Sequence, residues 1–409
     1  MKTIIPSLAI LIPVILISCQ SKDDFNVVQG NFKIVERKLT AALQELGNSA
    51  RNPRSLDKDG SPVLVQSWDW TSGFFPGCLW YMYEYSGAEK WRKAAHKFTM
   101  NVEPEKSNDT THDMGFKMFC SFGNGYRLSG NLAYKDILLQ SAKTLVTRFN
   151  PIVGCIRSWN HHEQVWQFPV IIDNMMNLEL LFWATKISGD SSFYNVAVRH
   201  AETTLKNHFR KDNSSWHVLD YDTTNGAVLN RHTHQGTGHQ SAWARGQAWG
   251  LYGFTMCYRE TRKKLFLEHA RKIADYILHH PNLPEDMVPY WDFDAPHIPD
   301  EPRDVSAAAI ICSALYELSL HLEKQGKPYK IAADRILATL STPAYLAGDN
   351  DNSKFLLMHA VGNMPDSVEV DVPVIYADYY FLEANIRKMK IDRGDYWLTM
   401  GGSNAVEFE

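Results

Sequence analysis

Apolar positions recur at helical spacing through most of the chain, and the recurrence comes in pairs. Three segments share one phrase: an apolar helix closing on Ser-Gly, a short turn, then an aromatic residue opening an Ala-bearing helix. They are YMYEYSGAEKWRKAA, GYRLSGNLAYKDILLQSA and FWATKISGDSSFYNVAVRHA. Gly87, Gly130 and Gly189 fall where a helix end takes the left-handed conformation that glycine adopts without strain. Weaker versions follow in YRETRKKLFLEHARKIA and YELSLHLEKQGKPYKIAADRIL. The pattern predicts a repeat of αα-hairpins, with first-of-pair helices over 71–86, 112–129, 170–188, 242–261, 303–322 and 372–388. Each but the last is followed by a more polar partner. A helix over 30–46 has no partner in sequence and is free to pair with the last, closing a ring of six.

The first-of-pair helices are apolar on most faces, as the run Ala307-Ala308-Ala309-Ile310-Ile311 illustrates. An inner layer covered on both sides requires this. The predicted fold is therefore all-α, an (α/α)6 barrel of inner and outer helix layers. In such a toroid the inner helices run the same way, so their N-terminal ends share one rim. The polar and aromatic residues that periodicity leaves unexplained gather there: Trp68-Asp69-Trp70, His112-Asp113, Asp173-Asn174, then Trp243, Arg245 and Trp249, then Arg303-Asp304, and finally Tyr376 with Asp378-Tyr379.

Composition narrows the class. With 409 residues, 44% hydrophobic and 12% aromatic, the chain can bury a large core, and no Pro/Ser/Gly-rich linker breaks it after residue 30. Residues 30–409 are expected to form one catalytic domain. A formal net charge of −4 without basic clusters argues against nucleic acid, whose phosphates call for concentrated Lys and Arg. The start of the chain reads as a bacterial lipoprotein signal over 1–19: Lys2, an apolar stretch from Ile4 to Ile17, and a small residue before Cys19. Cys19 is then the lipid-attachment site, 20–29 a tether, and the cell envelope the location. An ordinary signal peptide with an incidental Cys is the alternative. The five remaining cysteines, Cys78, Cys120, Cys155, Cys257 and Cys312, are odd in number and lack CxxC spacing, so buried free thiols are expected.

The candidate chemistry is carboxylate, arginine, imidazole and aromatic. Asp113 in THDMGF and Asp173 in PVIIDNMMNLELL stand at equivalent places in successive hairpins. Each alone reads as a helix cap, but together on one rim they suggest a proton-transferring acid with a partner carboxylate. In SAWARGQAWG, Trp243 and Trp249 offer flat apolar faces for a sugar ring, and Arg245 a fork matched to a carboxylate. Equally, the tryptophans are core and Arg245 pairs with an Asp on the rim. RHTHQGTGHQ holds His232, His234 and His239 without any carboxylate or Cys, at a spacing that shares no helical face, so no metal is expected. His217 in SSWHVLD reaches the rim or is structural. No GxSxG, P-loop or strand-linked GxGxxG occurs, and no cofactor is expected.

Taken in order, HDMGF, IIDNMMNLELL, SAWARGQAWG, PRDVSAAAI and DVPVIYADYYFLEA resemble the unsaturated glucuronyl hydrolases, glycoside hydrolase family 88. The resemblance runs from about Gly30 to Arg387. It implies a six-hairpin barrel, Asp173 as general acid and base, and Asp113 as its essential partner. It further implies that His217, Gln235, Trp243, Arg245 and Trp249 line the pocket, with Trp68 and Trp159 stacking nearby and Tyr376 on the same rim. The implied substrate is a 4,5-unsaturated uronate at the non-reducing end of a lyase-generated oligosaccharide, its carboxylate held by Arg245, Gln235 and helix N-termini. The stretch between Lys354 and Arg387 contains no Lys or Arg but does contain Asp366 and Glu369, so no sulfate contact is expected from it. Rival readings are an unsaturated rhamnogalacturonyl hydrolase, a non-catalytic glycan-binding lipoprotein, and a sugar isomerase or epimerase working through His232, His234 or His239.

Overall fold

Among the described residues, six helical hairpins close into a ring. The computed structural model describes residues 22–348 and 354–395; the expected signal and Cys19 lie outside the described residues. Among the described residues the helices are α1 (Lys22–Leu46), α2 (Phe74–Ser86), α3 (Glu89–Met100), α4 (Asn124–Ser129), α5 (Leu132–Val146), α6 (Leu178–Ser188), α7 (Ser191–Asn207), α8 (Ala244–Thr261), α9 (Lys264–Leu278), α10 (Val305–His321), α11 (Lys327–Leu340) and α12 (Ile375–Arg393). The inner layer runs α2, then the π-helical stretch Gly115–Gly123 with α4, then α6, α8, α10, α12 and back to α2, while α3, α5, α7, α9 and α11 pack outside. The N-terminal helix α1 packs on α12 and α2, so it partners the last inner helix as expected. The fold is an (α/α)6 barrel.

The local signals behave as predicted. Gly87, Gly130 and Gly189 are left-handed at φ 65°, 65° and 75°, and each N–H donates back to a helix carbonyl, on Tyr83, Tyr126 and Thr185. All five described cysteines are free and buried. Helix α10 is buried along nearly its whole length, including Ala307, Ala308 and Ala309.

Three boundaries differ from expectation. Most of the segment expected to be a tether is the beginning of α1, because the buried stripe Phe32, Val35, Leu39 and Ala42 extends back to Val28. The helix expected over 112–129 is a π-helical stretch, Gly115–Gly123, continued by α4. Two contacts hold that wider turn: Asn177 Oδ1 accepts from the backbone N–H groups of Gly115 and Phe116, and Gly73 approaches the Phe116 and Lys117 carbonyls so closely that a Cβ would lie 2.3 Å from them. The helix expected over 170–188 begins as an extended segment, Pro169–Ile171, and a 3-10 turn, Ile172–Asn177.

Away from the rim, the inner helices are pinned by a buried ionic network. Glu317 on α10 accepts from Arg259 Nη1 of α8 at 2.9 Å and pairs with Arg387 Nη1 of α12 at 2.9 Å. Burial pushes the Glu317 carboxyl up, but the two guanidiniums outweigh it and hold the group well below the ordinary range. Replacing Glu317 by Ala removes the carboxylate shared by Arg259 and Arg387, which keep Glu179, Glu260 and Glu383 as partners, and we expect a loss of up to about 3 kcal/mol, measured as a lowered urea midpoint at unchanged slope. Because the folded-state pKa is depressed, the wild-type contribution is present at neutral pH and is lost on acidification below the ordinary glutamate range.

Candidate active site

The first turn of the third inner helix carries Asp173 into a crowded pocket at the rim. Neither Asp173 nor Asp113 serves as a helix cap, unlike Asp304, whose Oδ1 accepts from Ser306 N at the start of α10. Asp173 is 9% exposed, and burial raises its pKa to about 7. The positive charge of Arg245 pulls it back down, and the negative charge of Asp113 pushes it further up. Asp113 is the more open of the two. Its Oδ2 accepts from Thr111 Oγ1 at 2.5 Å, and its Oδ1 lies 3.2 Å from Nε2 of buried His112.

His217 faces Asp173, with Nε2 3.7 Å from Oδ2. Its Nδ1 accepts from the backbone N–H groups of His234 and Gln235 at 3.1 and 3.2 Å. An Nδ1 that accepts carries no proton, so the neutral ring bears its hydrogen on Nε2, toward the carboxyl. Burial holds the imidazole pKa well below 6.5, and this tautomer persists at neutral pH. Trp243 lies over the ring at 4.5 Å between centroids, and Arg245 lies over Trp243 at 4.5 Å. Trp249 is fully buried between Phe116 and Tyr380, and its Nε1–H faces Asp173 without closing to a hydrogen bond.

Of the two readings of Arg245, the structure shows the pairing with an Asp on the rim. Its guanidinium is 1% exposed and committed within the fold: Nη1 to Asp304 Oδ2 at 2.9 Å and to the Val361 carbonyl, Nη2 to the Gly362 carbonyl at 2.6 Å. Gln235 Nε2 donates to the same Gly362 carbonyl at 2.8 Å. Both side chains therefore fasten the hairpin of Ala360–Asn363 and Val368–Val372 over the rim. Tyr376 is buried beneath Arg245, and Trp70, absent from the expected pocket set, packs beside it at 4.9 Å. Trp159 stacks on His161 at 5.2 Å, whereas Trp68 is 67% exposed.

The His-rich loop stays at the edge. His232 accepts from Trp166 Nε1 and stacks on His239, and His234 packs among Trp159, His162 and Trp166. Among the described residues no group of three His, Cys, Asp or Glu side chains is arranged to hold a metal.

Four buried polar atoms at the pocket make no hydrogen bond within the protein: Asp173 Oδ2, His217 Nε2, Trp249 Nε1 and Tyr376 Oη. Unpartnered buried polar atoms are rare in folded proteins, and a cluster of acid, donors and aromatic faces is suited to a polar, ring-shaped ligand that receives a proton. The arrangement makes a direct prediction. The Asp173 carboxyl titrates near pH 7, visible as a protonated-carboxyl infrared band in the difference between wild type and Asp173→Asn; a midpoint near 4 contradicts it. Since the folded pKa is raised, Asp173 contributes stability below its unfolded value of about 3.9, and that contribution is lost as pH rises through about 7.

The chain is similar to known proteins over most of its length. The family described as Glycosyl Hydrolase Family 88 matches residues 53–320. An unsaturated glucuronyl hydrolase of Formosa agariphila is 52% identical over 374 residues, 91% of this chain and 93% of that protein. One from a Bacillus species is 32% identical, covering 87% of this chain and 97% of its own. The crystal structure of an unsaturated glucuronyl hydrolase specific for heparin superposes with a TM-score of 0.88 at 48% identity, covering 91% of this chain and 99% of the other. Matched by the family over most of its length, the chain belongs to glycoside hydrolase family 88.

Proposed function

We propose that this protein is an unsaturated glucuronyl hydrolase that hydrates the C4=C5 bond of a 4,5-unsaturated uronate at the non-reducing end of glycosaminoglycan-type oligosaccharides. The observation that carries the reading is the protonatable Asp173, with a pKa near 7, facing the unpartnered donors of His217 and Trp249. The family membership and the heparin specificity of a 48%-identical relative support it.

The chemistry follows from the substrate's vinyl ether. Protonated Asp173 delivers its proton to C4, leaving an oxocarbenium-like C5. The resulting carboxylate accepts a proton from water as its oxygen bonds to C5, which regenerates the acid. The C5 hemiketal opens to a ketone, and the hemiacetal left at C1 expels the next sugar. No glycosyl-enzyme bond forms, unlike ordinary retaining hydrolysis. His217, neutral with hydrogen on Nε2, can donate to the carboxylate or to the incoming water; Asp113 helps keep Asp173 protonated.

Loss of ultraviolet absorbance from the conjugated uronate tests the reading, using lyase-generated heparin, chondroitin, hyaluronan and rhamnogalacturonan disaccharides. We expect hydration of glycosaminoglycan disaccharides, a loss of about 10²–10⁴-fold in kcat for Asp173→Asn, and a smaller loss for Asp113→Asn. Activity should fall as pH rises above about 7, because the acid loses its proton. Turnover confined to the rhamnogalacturonan product would move the assignment to pectin fragments, and binding without turnover would leave a glycan-binding protein.

We also propose lipid attachment at Cys19, which would hold the enzyme in the bacterial cell envelope. The apolar stretch ending in Leu16-Ile17-Ser18-Cys19 supports it. In cells, Cys19→Ser should move the protein from the membrane fraction to the soluble fraction and abolish incorporation of labelled fatty acid.

A further inference from the structure

The stretch that closes over the pocket brings no cation, and Glu369 within it is matched by Arg54, whose Nε and Nη2 donate to the two carboxylate oxygens at 2.7 and 2.9 Å. Any anionic group beyond the unsaturated sugar must therefore be met elsewhere on the rim. A cleft of about 430 Å³ opens where outer helix α5 ends and the chain returns toward Asp173. It lies on the active-site face, because outer helices finish on the rim where inner helices begin. Its polar lining is Arg148, Arg157, Asn150, Asn160, Thr147 and one carboxylate, Asp109.

Two guanidiniums line the cleft, and neither is hydrogen-bonded to a carboxylate. Arg148 is 8% exposed, and its bonds run to neutral acceptors: the Arg157 and Asp109 carbonyls and Asn160 Oδ1. Arg157 has one carboxylate nearby, Glu163 at 3.7 Å, which is 72% exposed and correspondingly weak as a partner. Arg157 Nε is buried and makes no hydrogen bond within the protein. Burial and the neighbouring Arg157 charge lower the Arg148 pKa to about 10, and the opposing charges of Asp113 and Asp109 do not offset them.

The cleft adjoins the catalytic pocket through a short strand-like pairing. Thr111 pairs with Trp159, and His112 N donates to the Ser158 carbonyl at 3.1 Å. Asp109 lines the cleft and Asp113 the pocket, four residues apart, so at most about 14 Å of extended chain separates them. The Arg148 charge is felt by both His112 and Asp113.

We propose that the Arg148–Arg157 cleft binds a sulfo group carried by the saturated part of the oligosaccharide, on the reducing side of the unsaturated uronate. The proposal rests on the glucuronyl hydrolase reading. Paired guanidinium forks match the oxygens of a sulfate ester or N-sulfo group, and Asn150 and Asn160 add neutral polar groups.

The test is calorimetric binding of an unsaturated heparin tetrasaccharide and its chemically desulfated counterpart to full-length Asp173→Asn protein, with and without Arg157→Gln. We expect the sulfated ligand to bind more tightly, and Arg157→Gln to shrink that preference about tenfold, as loss of one charge-assisted pair predicts. Arg157→Lys should retain part of it. Inorganic sulfate should compete with the sulfated ligand only. A preference unaltered by Arg157→Gln, or equal weakening of both ligands, overturns the proposal. Should Arg157→Gln not fold, Asn160→Ala and the sulfate competition decide in the same way. Absorbance decay with wild type is read separately: without hydration of either ligand the hydrolase reading fails, while the binding preference still decides the cleft.

Discussion

The buried Arg245–Asp304 pair joins almost everything at the rim. Asp304 caps α10 with one carboxylate oxygen and receives Arg245 from α8 on the other. Arg245 then reaches the carbonyls of Val361 and Gly362, lies over Trp243, and packs against Tyr376 of α12. Such a pair is weak evidence for stability, since desolvating two charges offsets much of their attraction. Its effect here is positional and electrostatic. It aligns three inner-helix starts with one hairpin, and it places a fixed positive charge where it limits how far burial can raise Asp173.

The tuning of Asp173 is a balance of opposed effects. Burial alone would favour a permanently neutral carboxyl, which can give a proton but cannot take one back. Arg245 acts against burial and Asp113 with it, and the result lies near 7, where both forms are accessible. His217 complements this without competing for the proton. Two backbone N–H groups occupy its Nδ1, and burial keeps the ring neutral, so it remains a donor whatever the state of Asp173.

The repeat and the order of hairpins were legible because they rest on local rules: a glycine that must be left-handed, and a helix that must be apolar on most faces. The rim could be located for the same reason, since helix direction alternates in a closed ring. What sequence could not resolve depends on contacts between distant residues. The π-helical stretch exists because Asn177 reaches the N–H groups of Gly115 and Phe116. Arg245 had two open readings, substrate fork or ion pair, and the partners that decide between them lie 59 and 117 residues away. Trp70 was visible beside Trp68, but only packing against Tyr376 separates the one that turns inward from the one that stays exposed.

Asp378 shows why a raised pKa does not by itself identify the acid. It too is buried on an inner helix near the rim, and burial lifts its pKa to about 7, as for Asp173. Its oxygens, however, accept from the Leu356 and Leu357 N–H groups at 2.9 Å each, so the carboxylate anchors a passing loop. Asp173 Oδ2 has no such bond and instead faces the donors of His217 and Trp249. Chemistry needs an oxygen that the fold has not already used, and between two similarly buried aspartates that condition selects Asp173.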